Sequence, residues 1–199
     1  MKNEVENPER EEESKMDIYL LKVSVFGGKN VGKKTIAKSR FLEKPFDSDY
    51  MSTTGVEFAT KTLVVNDIEA KLQLFLYNPD KRFWDKNNLI NLEKVIPGSQ
   101  GAVIMYDITK QNSLEQIPQW VQIIKDNAGN IPFLLVGNKL DLEEQRKISK
   151  EQIEKIKDRH GISSSMDISA KTGENVEKLF LKLASMILNS MKMEDKIKN

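Results

Sequence analysis

Seven residues, Gly27-Gly28-Lys29-Asn30-Val31-Gly32-Lys33, follow an apolar run and lead into a segment of helical spacing that opens with Lys34 and Thr35. Glycines in such a turn let successive backbone N–H groups face inward around phosphate oxygens, and the amine of Lys33 can reach β- and γ-phosphates. The stretch therefore reads as a phosphate-binding loop between a strand and a helix, with Gly28, Lys29, Asn30, Val31, Gly32, Lys33, Lys34 and Thr35 as candidate contacts. One position departs from the pattern. The residue after the loop lysine should carry a hydroxyl that ligates Mg²⁺, but Lys34 stands there. Thr35 comes one residue late, which on a helix turns its side chain away by about 100°. Farther along, Asn138-Lys139-Leu140-Asp141 follows one apolar run, and Ser169-Ala170-Lys171 follows the next. Both fall at strand ends, where open α/β sheets bind ligands.

The elements that must position these residues are legible from Ile18 onward. Short β-branched or aromatic runs alternate with longer segments of helical period, which predicts a doubly wound α/β fold with helices on both faces of a mostly parallel sheet. The predicted strands span residues 19–26, 56–65, 70–77, 102–107, 133–137 and 165–168, making a six-stranded sheet. Asn66-Asp67 marks a tight hairpin, so one strand must run antiparallel. Predicted helices cover 33–41, 113–125, 150–160 and 176–191; the third is opened by Ser149 with Gln152 three residues on, a capping-box pattern.

At 199 residues the chain suits one α/β domain. Residues 1–16 are rich in Glu and poor in apolar side chains, and are expected to be a disordered leader; 17–191 form the domain, and 192–199 a short, frayed polar tail. Lys and Arg number 31 against 30 Asp and Glu, a net charge of +1 that offers no global basic field for nucleic acid or anionic lipid. No apolar run is long enough to span a bilayer. The chain has no cysteine, which removes disulfides, thiolate metal sites, cysteine nucleophiles, prenylation and palmitoylation. The expectation is a soluble cytoplasmic protein that reaches membranes only through partners.

Taken together, the phosphate loop, Asn138-Lys139-Leu140-Asp141 and Ser169-Ala170-Lys171 resemble the Ras superfamily of small GTPases, most closely its Rab branch, from about Leu20 to Leu188. The resemblance implies the P-loop nucleotide-binding G-domain fold and GTP or GDP as ligand. Asp141 would then select guanine, because a carboxylate accepts hydrogen bonds from its N1–H and exocyclic amine, which adenine cannot supply. By the same resemblance Asn138 braces the loop and approaches the base, the stem of Lys139 covers the ring, and Ser169, Ala170 and Lys171 line its other side. Phe46 stands where an aromatic packs on guanine, and Thr53 stands at the switch threonine that reads Mg²⁺ and the γ-phosphate. Tyr106-Asp107-Ile108-Thr109 and Trp120 match as well, and serve the core and strand end.

The catalytic centre departs from the family. Where relatives carry Asp-x-x-Gly-Gln, this chain reads Leu76-Tyr77-Asn78-Pro79-Asp80, in a register fixed by the flanking Leu72–Phe75 and Arg82-Phe83. Leu76 cannot accept a hydrogen bond from a metal-bound water, Pro79 has no N–H for a γ-phosphate, and Asp80 has no amide to orient water. The stretch before Gly101 is also about five residues longer than in typical Rab-like chains. Two readings follow: a GTP/GDP switch with weak or absent hydrolysis, or a pseudo-GTPase scaffold that holds nucleotide constitutively or not at all. The first reading makes the chain a GTPase of impaired hydrolysis, the second a binding module. Mg²⁺ is expected to bind weakly or be dispensable, with Thr53 as its one remaining ligand. Protein effectors or scaffolds are expected on the segments from Tyr50 to Phe58 and from Leu76 to Gly101. A kinase or ATPase is disfavoured, since Asn138 and Asp141 specify guanine.

Overall fold

The computed structural model of the chain describes residues 18–37, 44–45, 56–77 and 92–198. Strands β1 (Ile18–Gly27), β4 (Ile68–Tyr77), β5 (Gly101–Asp107), β6 (Phe133–Asn138) and β7 (Ser164–Ile168) run parallel, while β3 (Val56–Val65) runs against β4. These are the six expected strands, with the expected single reversal. A two-residue strand, β2 (Lys44–Pro45), pairs with the outer edge of β3 and gives the order β2-β3-β4-β1-β5-β6-β7. Two residues are too few to show any period in sequence. The β3–β4 turn is made by Asn66 and Asp67, both left-handed at φ 50° and 61°, the backbone that a two-residue hairpin of matching twist requires.

Among the described residues the helices are α1 (Lys33–Ala37), α2 (Leu92–Val95), α3 (Ile117–Ala128), α4 (Lys150–His160) and α5 (Val176–Lys198). Helix α4 begins as expected: Ser149 Oγ accepts from the Gln152 amide at 3.3 Å, and Gln152 Oε1 accepts from the Ser149 amide at 2.8 Å. Helix α3 starts four residues later than expected. A short 3₁₀ turn (Gln111–Leu114) comes first, and Ser113 is spent in it, its hydroxyl donating to the carbonyl of Lys110 at 2.7 Å. Pro118 then sits in the first turn of α3, where its missing N–H costs nothing. Helix α5 runs on to Lys198, through residues rich in helix formers and free of Gly and Pro, where sequence suggested a frayed end.

Strands β5 and β6 are buried along their whole length, as central parallel strands covered on both faces must be. On one face Leu21, Val23, Leu74 and Leu76 pack under Ile36 of α1 and Leu179, Leu183 and Ile187 of α5. On the other, Phe26, Ile104 and Tyr106 pack under Trp120, Ile124 and Ile153. Phe26 is stacked between Tyr77 at 4.7 Å and Trp120 at 5.4 Å, so Trp120 is a core residue. Each such side chain contributes roughly 1.5–3 kcal/mol by leaving water, which fixes the sheet against which the loops at its C-terminal edge are set.

Candidate functional site

Strand β1 ends in Gly27 at φ 143°, pressed so close to the Met105 carbonyl of β5 that a Cβ would overlap it. The turn that follows folds back on itself. Lys33 Nζ donates to the carbonyls of Gly27 at 2.6 Å and Gly28 at 2.8 Å, so the lysine lies along the inside of the loop and is only 8% exposed. Burial pushes its pKa down from 10.5 to about 7; the nearby Glu57 carboxylate opposes that shift and Lys34 adds to it.

Gly32, at φ 101°, leaves room for one side chain, and that side chain is Asn138 at the end of β6. Its Nδ2 donates to the Val31 carbonyl at 2.8 Å, while its Oδ1 accepts from the Ala170 amide at 2.8 Å. One buried amide thus ties together the phosphate loop, the end of β6 and the Ser169-Ala170-Lys171 loop after β7. Beside it, Ser169 Oγ donates to Asp141 Oδ1 at 2.6 Å and accepts from the Thr172 amide at 3.1 Å. Lys171 Nζ stands 3.9 Å from the other oxygen of Asp141, at the surface. The turn carrying Asp141 (Leu140–Gln145) is fastened to β7 by Arg146, which bonds Asp167 and Glu143 at 2.7 Å each.

Lys139 enters that turn in the left-handed region at φ 75°, and its ammonium lies 2.6 Å from Asp107 Oδ2 at the end of β5. Burial disfavours ionisation of Asp107, but hydrogen bonds from Lys139 and Thr109 outweigh it and hold the carboxyl below its ordinary value. A strand-end Asp107 therefore fixes the stem of Lys139.

Among the expected site residues, Gly28, Val31, Gly32, Lys33, Asn138, Lys139, Asp141, Ser169 and Ala170 come together at this edge of the sheet. Lys29, Asn30 and Thr35 are on the exposed rim. Phe46, Thr53, Pro79 and Asp80 lie outside the described residues. Lys34, which stands where the pattern wants a hydroxyl, pairs through its ammonium with Glu57 of β3 at 2.8 Å while its side chain stays largely exposed. Glu57 falls in the effector segment that the sequence matched, but its pairing with Lys34 was not read from sequence. It shares its face of β3 with Ala59, Lys61, Leu63 and Val65.

Two positions where the resemblance expects help with Mg²⁺ offer no oxygen ligand. Lys34 brings an ammonium, and Leu76 is 2% exposed within the apolar core.

The Ras family model matches residues 22–189. The chain is 35% identical over 175 residues to Ras-related protein Rab-13 of Bos taurus, covering 85% of this chain and 81% of that one. It is 32% identical over 180 residues to Ras-related protein Rab-8B of Homo sapiens, covering 89% and 84%. Ras-related protein Rab-19 of Xenopus laevis is 32% identical over 171 residues, covering 85% and 78%. On a match spanning the loop, the strands and both polar clusters, the chain belongs to the Ras family of small GTPases, within its Rab branch.

Proposed function

We propose that the chain is a guanine-nucleotide switch protein whose own GTP hydrolysis is weak or absent. The observation that carries this reading is the Asn138 side chain, which joins the phosphate loop to the Ser169-Ala170-Lys171 loop through bonds of 2.8 Å to Val31 and from Ala170. A phosphate cradle and a base-edge acceptor are thereby held in one rigid unit, which is what binding a nucleotide by both ends requires. Lys33 supplies the phosphate charge, the turn from Gly28 to Gly32 supplies backbone N–H groups, and Asp141, aligned by Ser169, accepts from guanine. When bound, the nucleotide supplies the two-state signal; the protein reads it with the segment around Thr53 and offers partners the surfaces from Tyr50 to Phe58 and from Leu76 to Gly101.

Competition binding with GDP, GTP and ATP tests the assignment. GDP should outcompete ATP by far more than a few-fold, and Asp141→Asn should weaken GDP by about ten- to a hundredfold, the cost of a charge-assisted bond. ATP binding as tightly as GDP refutes it.

A second reading, a pseudo-GTPase scaffold, is favoured by one observation: the metal-site positions are an ion-paired Lys34 and a core Leu76. Where GDP is bound, its release should accelerate less than about tenfold when Mg²⁺ is chelated; a chain that binds no GDP is the empty form of the second reading. No helix among the described residues is long and apolar enough to cross a membrane. We further propose that the chain is cytoplasmic and reaches membranes through protein partners.

A further inference from the structure

Ser24 of β1 stands between the two ends of the stretch that joins β4 to β5. Its hydroxyl meets Ser99 Oγ at 2.7 Å, just ahead of β5, and Tyr77 Oη at 3.4 Å, at the last residue of β4. The register explains the meeting: Ser24 is level with Phe75 of β4 on one side and with Ala102 of β5 on the other. All three hydroxyl residues are buried, so each hydroxyl depends on the others for the hydrogen bonds that water would supply.

Each end is held by more than this contact. Tyr77 stacks on Phe26 at 4.7 Å with ring planes 5° apart, and burial pushes its phenol up, so it stays neutral and able to donate. At the other end Lys22 lies two residues before Ser24, on the same face of β1. Its ammonium donates to the Val95 and Pro97 carbonyls at 2.7 Å each, with the fully buried Ile96 between them. The Gln100 side chain accepts from the Lys22 amide at 2.9 Å, and the Gln100 amide donates to the Lys22 carbonyl at 2.8 Å. The stretch therefore leaves the sheet and returns to it through bonds to β1, and none of these bonds involves the phosphate loop.

A ligand shifts a conformational equilibrium only by its differential affinity for the two states. The resemblance puts this stretch's γ-phosphate contact at Pro79, which has no N–H to give. We propose that the clasp at Ser24 uncouples the partner surface from Leu76 to Gly101 from the nucleotide. Its ends, at Tyr77 and at Leu92–Gln100, keep one arrangement whether GDP or GTP is bound. A protein docked there is held in both states, and the nucleotide is read only by the segment leading into β3. This rests on the guanine-nucleotide switch reading above.

The test is hydrogen–deuterium exchange of the full chain, read by mass spectrometry, with GDP and with a non-hydrolysable GTP analogue. Amides of residues 72–77 and 92–101 should exchange within about threefold of one another in the two complexes, while those from Thr53 to Ala59 should differ by more than that. Ser24→Ala removes both hydroxyl contacts and should speed exchange at both ends by more than about threefold, equally in the two complexes. Should that variant fail to fold by circular dichroism, Ser99→Ala, which cuts the 2.7 Å bond alone, must speed exchange at 92–101 in the same way.

A difference of more than about threefold between the two wild-type complexes at 72–77 or 92–101 overturns the inference while leaving nucleotide binding intact. A serine variant that folds and exchanges as slowly as wild type overturns it also, since the hydroxyl would then hold nothing. If both nucleotides bind and Thr53 to Ala59 is equally unresponsive, the switch reading falls, and this inference with it. A chain that binds neither nucleotide overturns the proposed function altogether.

Discussion

Lys33 is the residue in which charge, burial and ligand are most tightly linked. Its pKa falls to about 7 in the folded chain from 10.5, so between those values the unfolded chain holds a proton that the folded chain has lost. The sign follows directly: the burial penalty is present in full below about pH 7, and stability contributed by this group grows as pH rises toward 10.5. An anionic phosphate reverses the preference, because it stabilises the ammonium. Binding GDP at about pH 8 should therefore draw in a proton, and affinity should decline as pH rises above 7. Titration calorimetry in buffers of different ionisation enthalpy measures that uptake. Zero uptake would mean that the amine is already charged in the free loop.

At the scale of elements, α4 and α3 are held by different physics, and substitutions should separate them. Ser149 is an exposed cap that satisfies one amide, so Ser149→Ala should cost about 1 kcal/mol and lower the unfolding midpoint by roughly 2–4 °C. Ser149→Asp should retain most of that stability. Trp120 is stacked on Phe26 inside the second core cluster. Trp120→Ala should cost about 3–5 kcal/mol, enough to threaten folding outright. Equal losses in thermal unfolding for the two alanine variants would show that α4 is held mainly by its cap. The stretch leading into β5 is likewise anchored. Lys22 Nζ of β1 donates to the Val95 and Pro97 carbonyls at 2.7 Å each, and Ser24 Oγ meets Ser99 Oγ at 2.7 Å. That end of the stretch is fastened to the sheet.

For the whole molecule, the expectation is a nucleotide holder that turns over slowly. Hydrolysis in relatives depends on positioning and charge neutralisation, not on covalent chemistry from the protein. Here Leu76 is core, Lys34 is paired with Glu57, and Asp80 has no amide with which to orient water. Single-turnover GTP cleavage should run well below the roughly 10⁻⁴ s⁻¹ intrinsic rate of a Ras-type enzyme. A rate equal to that value would show that water is oriented by other groups.

The strand periods, the Asn66-Asp67 turn and the Ser149 cap were decided by local pattern, because burial on a sheet imposes period two and a cap needs only residues three apart in sequence. The phosphate loop, Asn138-Lys139-Leu140-Asp141 and Ser169-Ala170-Lys171 were equally legible, since each is a short contiguous string whose chemistry is complete within it. Their convergence on the one edge followed from the parallel sheet, whose strand ends all face the same way. What sequence could not supply was the state of Lys34. Its partner is 23 positions away on another strand, and the pairing depends on the register that sets Glu57 beside Leu76 and beneath α1. Nor could it show that one amide at Asn138 would span two loops, Val31 being 107 positions away and Ala170 32. Contacts of that range are created when the sheet closes and the core excludes water, and only the packed molecule contains them.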